Sequence, residues 1–152
     1  MGRVEEMNEI VPMGADRPGL LHADLTGFIL EVFYEVYKEL GYGFLESVYK
    51  RAMLITLRAR GLRVVGETPI RVWYRGEDVG DFRADILVEE KVILELQAAR
   101  ALDGAHEAKL LNYLRATDKE VGLLLNFGPK PSFKRFVLDN PRKKALPSSR
   151  AL

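Results

Sequence analysis

The chain has 152 residues and a mass of 17.2 kDa, and its 47% hydrophobic content is enough to bury one core of ordinary size. It contains no cysteine, which excludes disulfide scaffolds, zinc–thiolate sites, iron–sulfur clusters and thiol nucleophiles and leaves oxygen or imidazole as the only metal ligands. The formal net charge of +1 carries no argument for a nucleic-acid or membrane partner, but residues 130 to 152 hold seven basic side chains against one acid, so the C-terminal end reads as a basic appendage.

Residues 1 to 22 mix Pro12, Gly14, Pro18 and Gly19 with charges and show no sustained period, so they are expected to form an arm that at most packs on the surface. They lack the apolar stretch of a secretion signal, and no later run approaches the roughly 20 apolar residues that span a bilayer. A soluble, cytoplasmic protein with no membrane partner is expected. From an N-cap at Asp24 or Thr26, the apolar residues Phe28, Ile29, Val32, Phe33, Val36, Tyr37 and Leu40 recur at intervals of three and four until Gly41, which predicts an amphipathic helix. Leu45, Val48, Tyr49, Ala52, Met53, Ile55 and Thr56 predict a second helix that stops at Gly61, so the two form a helical hairpin.

The segments RVVGETPIRVWY and VGDFRADILVEE, separated by RGED, are rich in β-branched and aromatic residues, and KVILELQAA follows at once. Three successive antiparallel strands are the simplest reading. A third helix runs from an Asp103 cap through HEAKLLNYLRAT, and VGLLLNFG has the nearly continuous apolar character of a strand buried on both faces. FKRFVL is a candidate edge strand, and PRKKALPSSRAL has the composition of a disordered tail. The expected organisation is an arm over 1–22, a domain over 23–138 and a basic flexible tail over 139–152.

The hydrophobic pattern selects a register for the hairpin centred on Glu90. Pairing Val88 with Val92, Ile86 with Leu94 and Ala84 with Leu96 makes one face wholly apolar, and it sets Asp85 opposite Glu95 on the other face, with Gln97 two residues further along. Carboxylates on directly opposed strand positions, whose β-carbons lie about 4.5–5.5 Å apart, repel unless a positive charge lies between them. A divalent cation is the usual solution, and oxygen ligands suit Mg²⁺ or Mn²⁺ better than zinc. On the third helix His106, Lys109, Leu110, Tyr113, Leu114 and Thr117 share one broad face, so packing that face on the acidic side of the sheet brings polar groups toward the carboxylates.

The segment GFLESVY, residues 43 to 49, together with GETPIRVWYRGEDVGDFRADILV, VILELQA, HEAKLLNYLRAT and VGLLLNFG, resembles the bacterial GxxExxY protein family, a branch of the PD-(D/E)XK nuclease-like superfamily, over roughly residues 25 to 128. The resemblance implies an α+β, restriction-endonuclease-like fold, α-α-β-β-β-α-β in order, with a central mixed sheet flanked by helices. It implies Mg²⁺ or Mn²⁺ held by Asp85, Glu95 and the main-chain carbonyl of Leu96, with Glu46 of the signature pointing into the same site. It also implies phosphodiester hydrolysis as the ancestral chemistry. Glu67 occupies another acidic position of the family pattern and has no assigned role.

Two positions depart from the superfamily pattern. The lysine expected two residues after the acid is Gln97, and the glutamine expected four residues before Tyr113, in the arrangement of RecB-type nucleases, is Lys109. Lysine and glutamine have traded places, which suggests a migrated catalytic lysine: Lys109 would supply the positive charge from the helix and Gln97 the amide from the strand. His106 and Tyr113 would contact phosphate or hold Lys109, and Lys130, Lys134 and Arg135 would track a nucleic-acid backbone. The reading is therefore a metal-dependent nuclease. Its rivals are a catalytically degenerate nuclease fold that binds nucleic acid or a protein partner, including a second copy in a homodimer, and a hydrolase of nucleotides or other phosphate esters.

Overall fold

In the computed structural model, residues 3–6, 22–80 and 82–143 are described. The elements in chain order are β1 (Arg3–Glu6), α1 (Ala23–Leu40), α2 (Glu46–Ala59), β2 (Val64–Ile70), β3 (Trp73–Tyr74), β4 (Glu77–Asp78), β5 (Phe82–Val88), β6 (Val92–Gln97), α3 (Gly104–Ala116), β7 (Val121–Phe127) and β8 (Pro131–Val137). A six-stranded sheet runs in the order β1-β8-β7-β6-β5-β2. The β6–β7 pair is parallel, because α3 carries the chain across between them, and the other neighbours are antiparallel. The fold is α+β, a mixed sheet flanked by helices.

Both faces of the sheet are covered, which is why β6 and β7 are buried at every position. On one face α1 and α2 bury Ile29, Val32, Phe33, Tyr49, Met53 and Leu57 against Ile86, Leu94, Leu96, Leu123 and Leu125. On the other face Leu110, Tyr113 and Leu114 of α3 pack on Leu87, Ile93, Leu124 and Phe136. Among the described residues no helix is long and apolar enough to cross a membrane.

The predicted caps are met in part. Asp103 accepts the Ala105 N–H at 2.7 Å and starts α3, and Gly41 with φ 72° ends α1. Neither Asp24 nor Thr26 caps α1; the helix begins at Ala23, and the Thr26 hydroxyl donates back to the carbonyls of His22 and Ala23. The run RVVGETPIRVWY is not one strand. It breaks after Ile70, and Trp73–Tyr74 pairs with Glu77–Asp78 as a separate small hairpin turning on Arg75 and Gly76, both at positive φ. FKRFVL does form β8, but not as an edge among the described residues, since Arg3–Glu6 pairs along its outer side. The start of the expected tail is also ordered: Asn140–Arg142 make a 3₁₀ turn, and Lys143 Nζ donates to the carbonyls of Thr117 and Lys119. Residues 144–152, and those of the arm other than 3–6 and His22, lie outside the described residues.

Gly122 sets how closely α3 approaches the sheet. A β-carbon there would fall 2.7 Å from Leu110 Cδ1, so only glycine lets Leu110 seat against β7. Gly122→Ala is expected to destabilise the fold by about 1–3 kcal/mol through overpacking, read from urea denaturation midpoints. An unchanged midpoint would mean that Leu110 has another place to go.

Candidate active site

The predicted hairpin register is the one observed as far as it runs: Val88 pairs with Val92, Leu87 with Ile93 and Ile86 with Leu94. The ladder then stops. Instead of a continued main-chain pairing, the Leu96 N–H donates to Asp85 Oδ2 at 2.8 Å, so the carboxylate itself takes up a strand donor. The expected Ala84–Leu96 pair is corrected accordingly: Ala84 packs in the cluster beneath α3, whereas Leu96 belongs to the cluster beneath α1 and α2. On the other side of β5 the residue facing this opening is Glu67, held at φ 54°, where the β2–β5 pairing skips a step between Gly66–Ile86 and Thr68–Ala84. The pairing on both sides of β5 is thus interrupted at Asp85, by the irregular Glu67 toward β2 and by the end of the ladder toward β6.

Glu95 lies at this opening and is 1% exposed, with no main-chain or neutral side-chain donor on either carboxylate oxygen, so its neighbours are the Asp85 carboxyl and the Lys109 ammonium. Lys109 Nζ on α3 stands 3.2 Å from Glu95 Oε2. Burial pushes the Glu95 carboxyl up to about 8, the adjoining Asp85 carboxylate adds to the rise, and Lys109 opposes it. For Lys109, burial pulls the ammonium down, but the attraction of Glu95 prevails and the group is raised above the ordinary lysine value. Lys109 therefore stays charged and serves as a fixed cation rather than a proton acceptor.

Lys50 is a residue that sequence reasoning did not single out. It ion-pairs with Glu67 and lies 3.9 Å from Asp85 Oδ1, so α2 supplies a second cation to the opening. The signal for it is slight: Lys50 directly follows the last residue of the GFLESVY signature and falls one helical turn after Glu46. Glu46 itself is exposed in the first turn of α2. Tyr49 of the signature is fully buried, stacks on Phe127 with ring centroids 4.2 Å apart, donates to the Gly41 carbonyl at 2.5 Å and accepts the Phe44 N–H at 3.2 Å. It fastens the loop between α1 and α2.

Gln97 is fully buried; its Nε2 donates to the Ala101 carbonyl at 2.8 Å and its Oε1 has no partner. The amide thus holds the loop that leads into α3. Tyr113 is buried under Lys109, with its ring centroid 5.6 Å from the ammonium, and its hydroxyl donates to the Arg83 carbonyl at 2.9 Å. His106, one turn before Lys109, has a buried Nδ1 without a hydrogen-bond partner.

The basic group expected to track a nucleic-acid backbone is largely engaged elsewhere. Lys134 ion-pairs with Glu107 at 2.5 Å, and Arg135 is 2% exposed, a correction to its expected surface role: it shares its face of β8 with Phe133 and Val137, the face that packs in the cluster of α1 and α2. Lys130 is exposed on the loop between β7 and β8.

The Asp85 and Glu95 carboxyls are hard oxygen donors of the kind that Mg²⁺ and Mn²⁺ take, and Glu95, which has only the Lys109 ammonium and the Asp85 carboxyl beside it, fits such an ion. No group of three or more His, Cys, Asp or Glu side chains gathers among the described residues, so a cation here would draw on two carboxylates, main-chain oxygen and water.

A family model for the PD-(D/E)XK nuclease superfamily matches residues 23–136, which takes in both helices of the hairpin, the split strand pair and α3. The chain belongs to the PD-(D/E)XK nuclease superfamily. No functionally curated protein matches it. Among solved structures, the crystal structure of SSO0001 is similar at 16% identity and a TM-score of 0.44, over 61% of this chain and 49% of that one, a likeness too distant to bear on function. The chain thus spans about half the length of that protein.

Proposed function

We propose that the chain is an Mg²⁺- or Mn²⁺-dependent phosphodiesterase acting on nucleic acid, with its lysine relocated from strand to helix. The observation that carries this is Glu95: a carboxyl 1% exposed, set beside the Asp85 carboxyl and balanced by an ammonium 3.2 Å away on α3. Asp85, Glu95 and the Leu96 carbonyl would hold the cation, and Glu46 would orient its water shell. When bound, the cation would acidify an attacking water and offset charge on the scissile phosphate. Lys109, charged throughout the physiological range, would stabilise the negative charge that develops on the phosphate oxygens. Gln97 keeps the loop before α3 in place, His106 offers phosphate a nitrogen donor, Tyr113 supports the lysine stem, and Lys130 is a backbone contact from the exposed side.

A second reading has its own support. Lys109 and Lys50 already stand beside the two acids, an internal charge balance that a catalytically silent, nucleic-acid- or protein-binding descendant would retain. Calorimetric titration of Mn²⁺ separates the two. The phosphodiesterase reading predicts one Mn²⁺ site that Asp85→Ala removes, together with metal-dependent cleavage in single-turnover assays on single-stranded DNA, duplex DNA, RNA or free nucleotides. Absence of Mn²⁺ binding in the wild type would leave the binding-module reading in its place.

A further inference from the structure

A cleft between α3 and the start of β5 adjoins the acids through Lys109 and Tyr113, and the chemistry above leaves the rest of it unused. Ile70, Val72, Phe82 and Tyr113 wall it with Lys109 and Asn112, around a volume of about 390 Å³. We infer that this cleft receives one unpaired base of the nucleic acid whose phosphate lies at Lys109, so that the strand attacked is single-stranded at the site of cleavage. The inference rests on the nuclease reading for where the phosphate sits, but not for what the cleft holds.

Three observations converge on a base. The first is continuity: the Lys109 ammonium lies 3.2 Å from Glu95 Oε2 and 5.6 Å from the Tyr113 ring centroid, so one side chain borders both the acids and the cleft. A phosphate drawn to that ammonium leaves its own nucleotide at the mouth of the cleft, and the charge there is complementary to the backbone it must accept.

The second is an exposed aromatic. Phe82 is 47% exposed although it begins a strand of the main sheet, and its ring meets Tyr113 edge-on, with centroids 6.2 Å apart and planes at 63°. Bases stack on such rings whatever their sequence, because every base has a π-face. The backbone nearby is shaped around this ring: a β-carbon on Gly80 would lie 2.9 Å from Val72 Cβ and 3.0 Å from the Phe82 ring, so glycine is required for the small hairpin to press against both.

The third is size and polarity. The volume falls near the lower end of the roughly 300–1,000 Å³ of small-ligand pockets, and its walls are apolar except for Lys109 and Asn112. That suits one planar heterocycle with a polar edge. A paired base in a duplex reaches such a cleft only by leaving the stack, at a cost of a few kcal/mol that an already unpaired strand avoids.

The test uses the full chain in Ca²⁺, an oxygen-ligated ion, with a short single-stranded DNA carrying 2-aminopurine. Binding is expected to quench the probe by stacking. Phe82→Ala is expected to weaken binding about tenfold and to abolish the quench, whereas Phe82→Trp retains both. A matched duplex is expected to bind more weakly and without quenching. Unchanged affinity in Phe82→Ala, equal quenching in the duplex, or no binding of the single strand would each overturn the inference. Quenched binding with no cleavage in Mg²⁺ or Mn²⁺ would instead sink the phosphodiesterase reading and leave the cleft assignment standing.

Discussion

Lys109→Ala is expected to lower single-turnover cleavage by about 10²-fold or more, the usual cost of removing one preorganised electrostatic stabiliser. Because Glu95 raises the Lys109 ammonium above its ordinary value, what is lost is a fixed charge and not a titrating base. The pH profile of the residual activity should therefore keep its shape while falling in height. Lys109→Arg preserves the charge but brings a planar, wider head group beside Glu95, and an intermediate rate is expected. The paired variant Gln97→Lys with Lys109→Gln restores the arrangement of the wider superfamily. Recovery above the single Lys109→Gln variant would show that the two positions serve one function, and a wild-type rate in Lys109→Ala would remove Lys109 from the chemistry.

The second large effect concerns Glu95. Glu95→Gln is expected to abolish cleavage and, in cation-free buffer, to raise stability relative to wild type progressively as the pH is raised. The folded chain keeps a proton on this carboxyl up to about 8, against an ordinary value of 4.5 at which the unfolded chain releases it. Between those values the folded state binds the extra proton, so wild-type stability falls as pH rises through that window and the loss is complete above about 8. Glutamine fills the same space and does not titrate. The wild-type and variant difference cancels what His22 and Glu89 contribute to the pH dependence of both. Denaturation midpoints in chelator at pH 5, 6.5 and 8 should diverge toward the alkaline end, and parallel curves would show that Glu95 is not held protonated.

The parts of this molecule that were legible in its sequence are those set by alternation and by caps. The β5–β6 register followed from setting apolar residues opposite apolar ones, and the α3 start followed from Asp103. The exchange between Gln97 and Lys109 was visible because two departures from one pattern mirrored each other, and the fold brings Lys109 to Glu95. Where the reading failed, a local conformation overrode the pattern. Glu67 in the left-handed region stands where the β2–β5 pairing skips Asp85, and at the same point Ala84 joins the other cluster and the Asp85 side chain accepts the Leu96 N–H. No periodicity announces a non-glycine residue at positive φ. Lys50 was missed because a lysine on a helix surface carries no signal until a strand acid lies within its reach. Arg135 was misplaced because a charged residue in FKRFVL reads as solvent-facing, whereas it shares the helix-covered face of β8 with Phe133 and Val137; nor did the short, charged segment Arg3–Glu6 hint that it would pair along the edge of β8.

That outer strand bears on how the molecule meets other chains. With β1 occupying the hydrogen-bonding flank of β8, and Pro69 and the irregular Glu67 interrupting the β2 flank, the described sheet presents no long regular border along which a foreign strand could zip. The opening between β5 and β6, where the two acids and the two lysines lie, is set inside the sheet and away from both borders, so guarding the edges against strand addition leaves the charged site untouched.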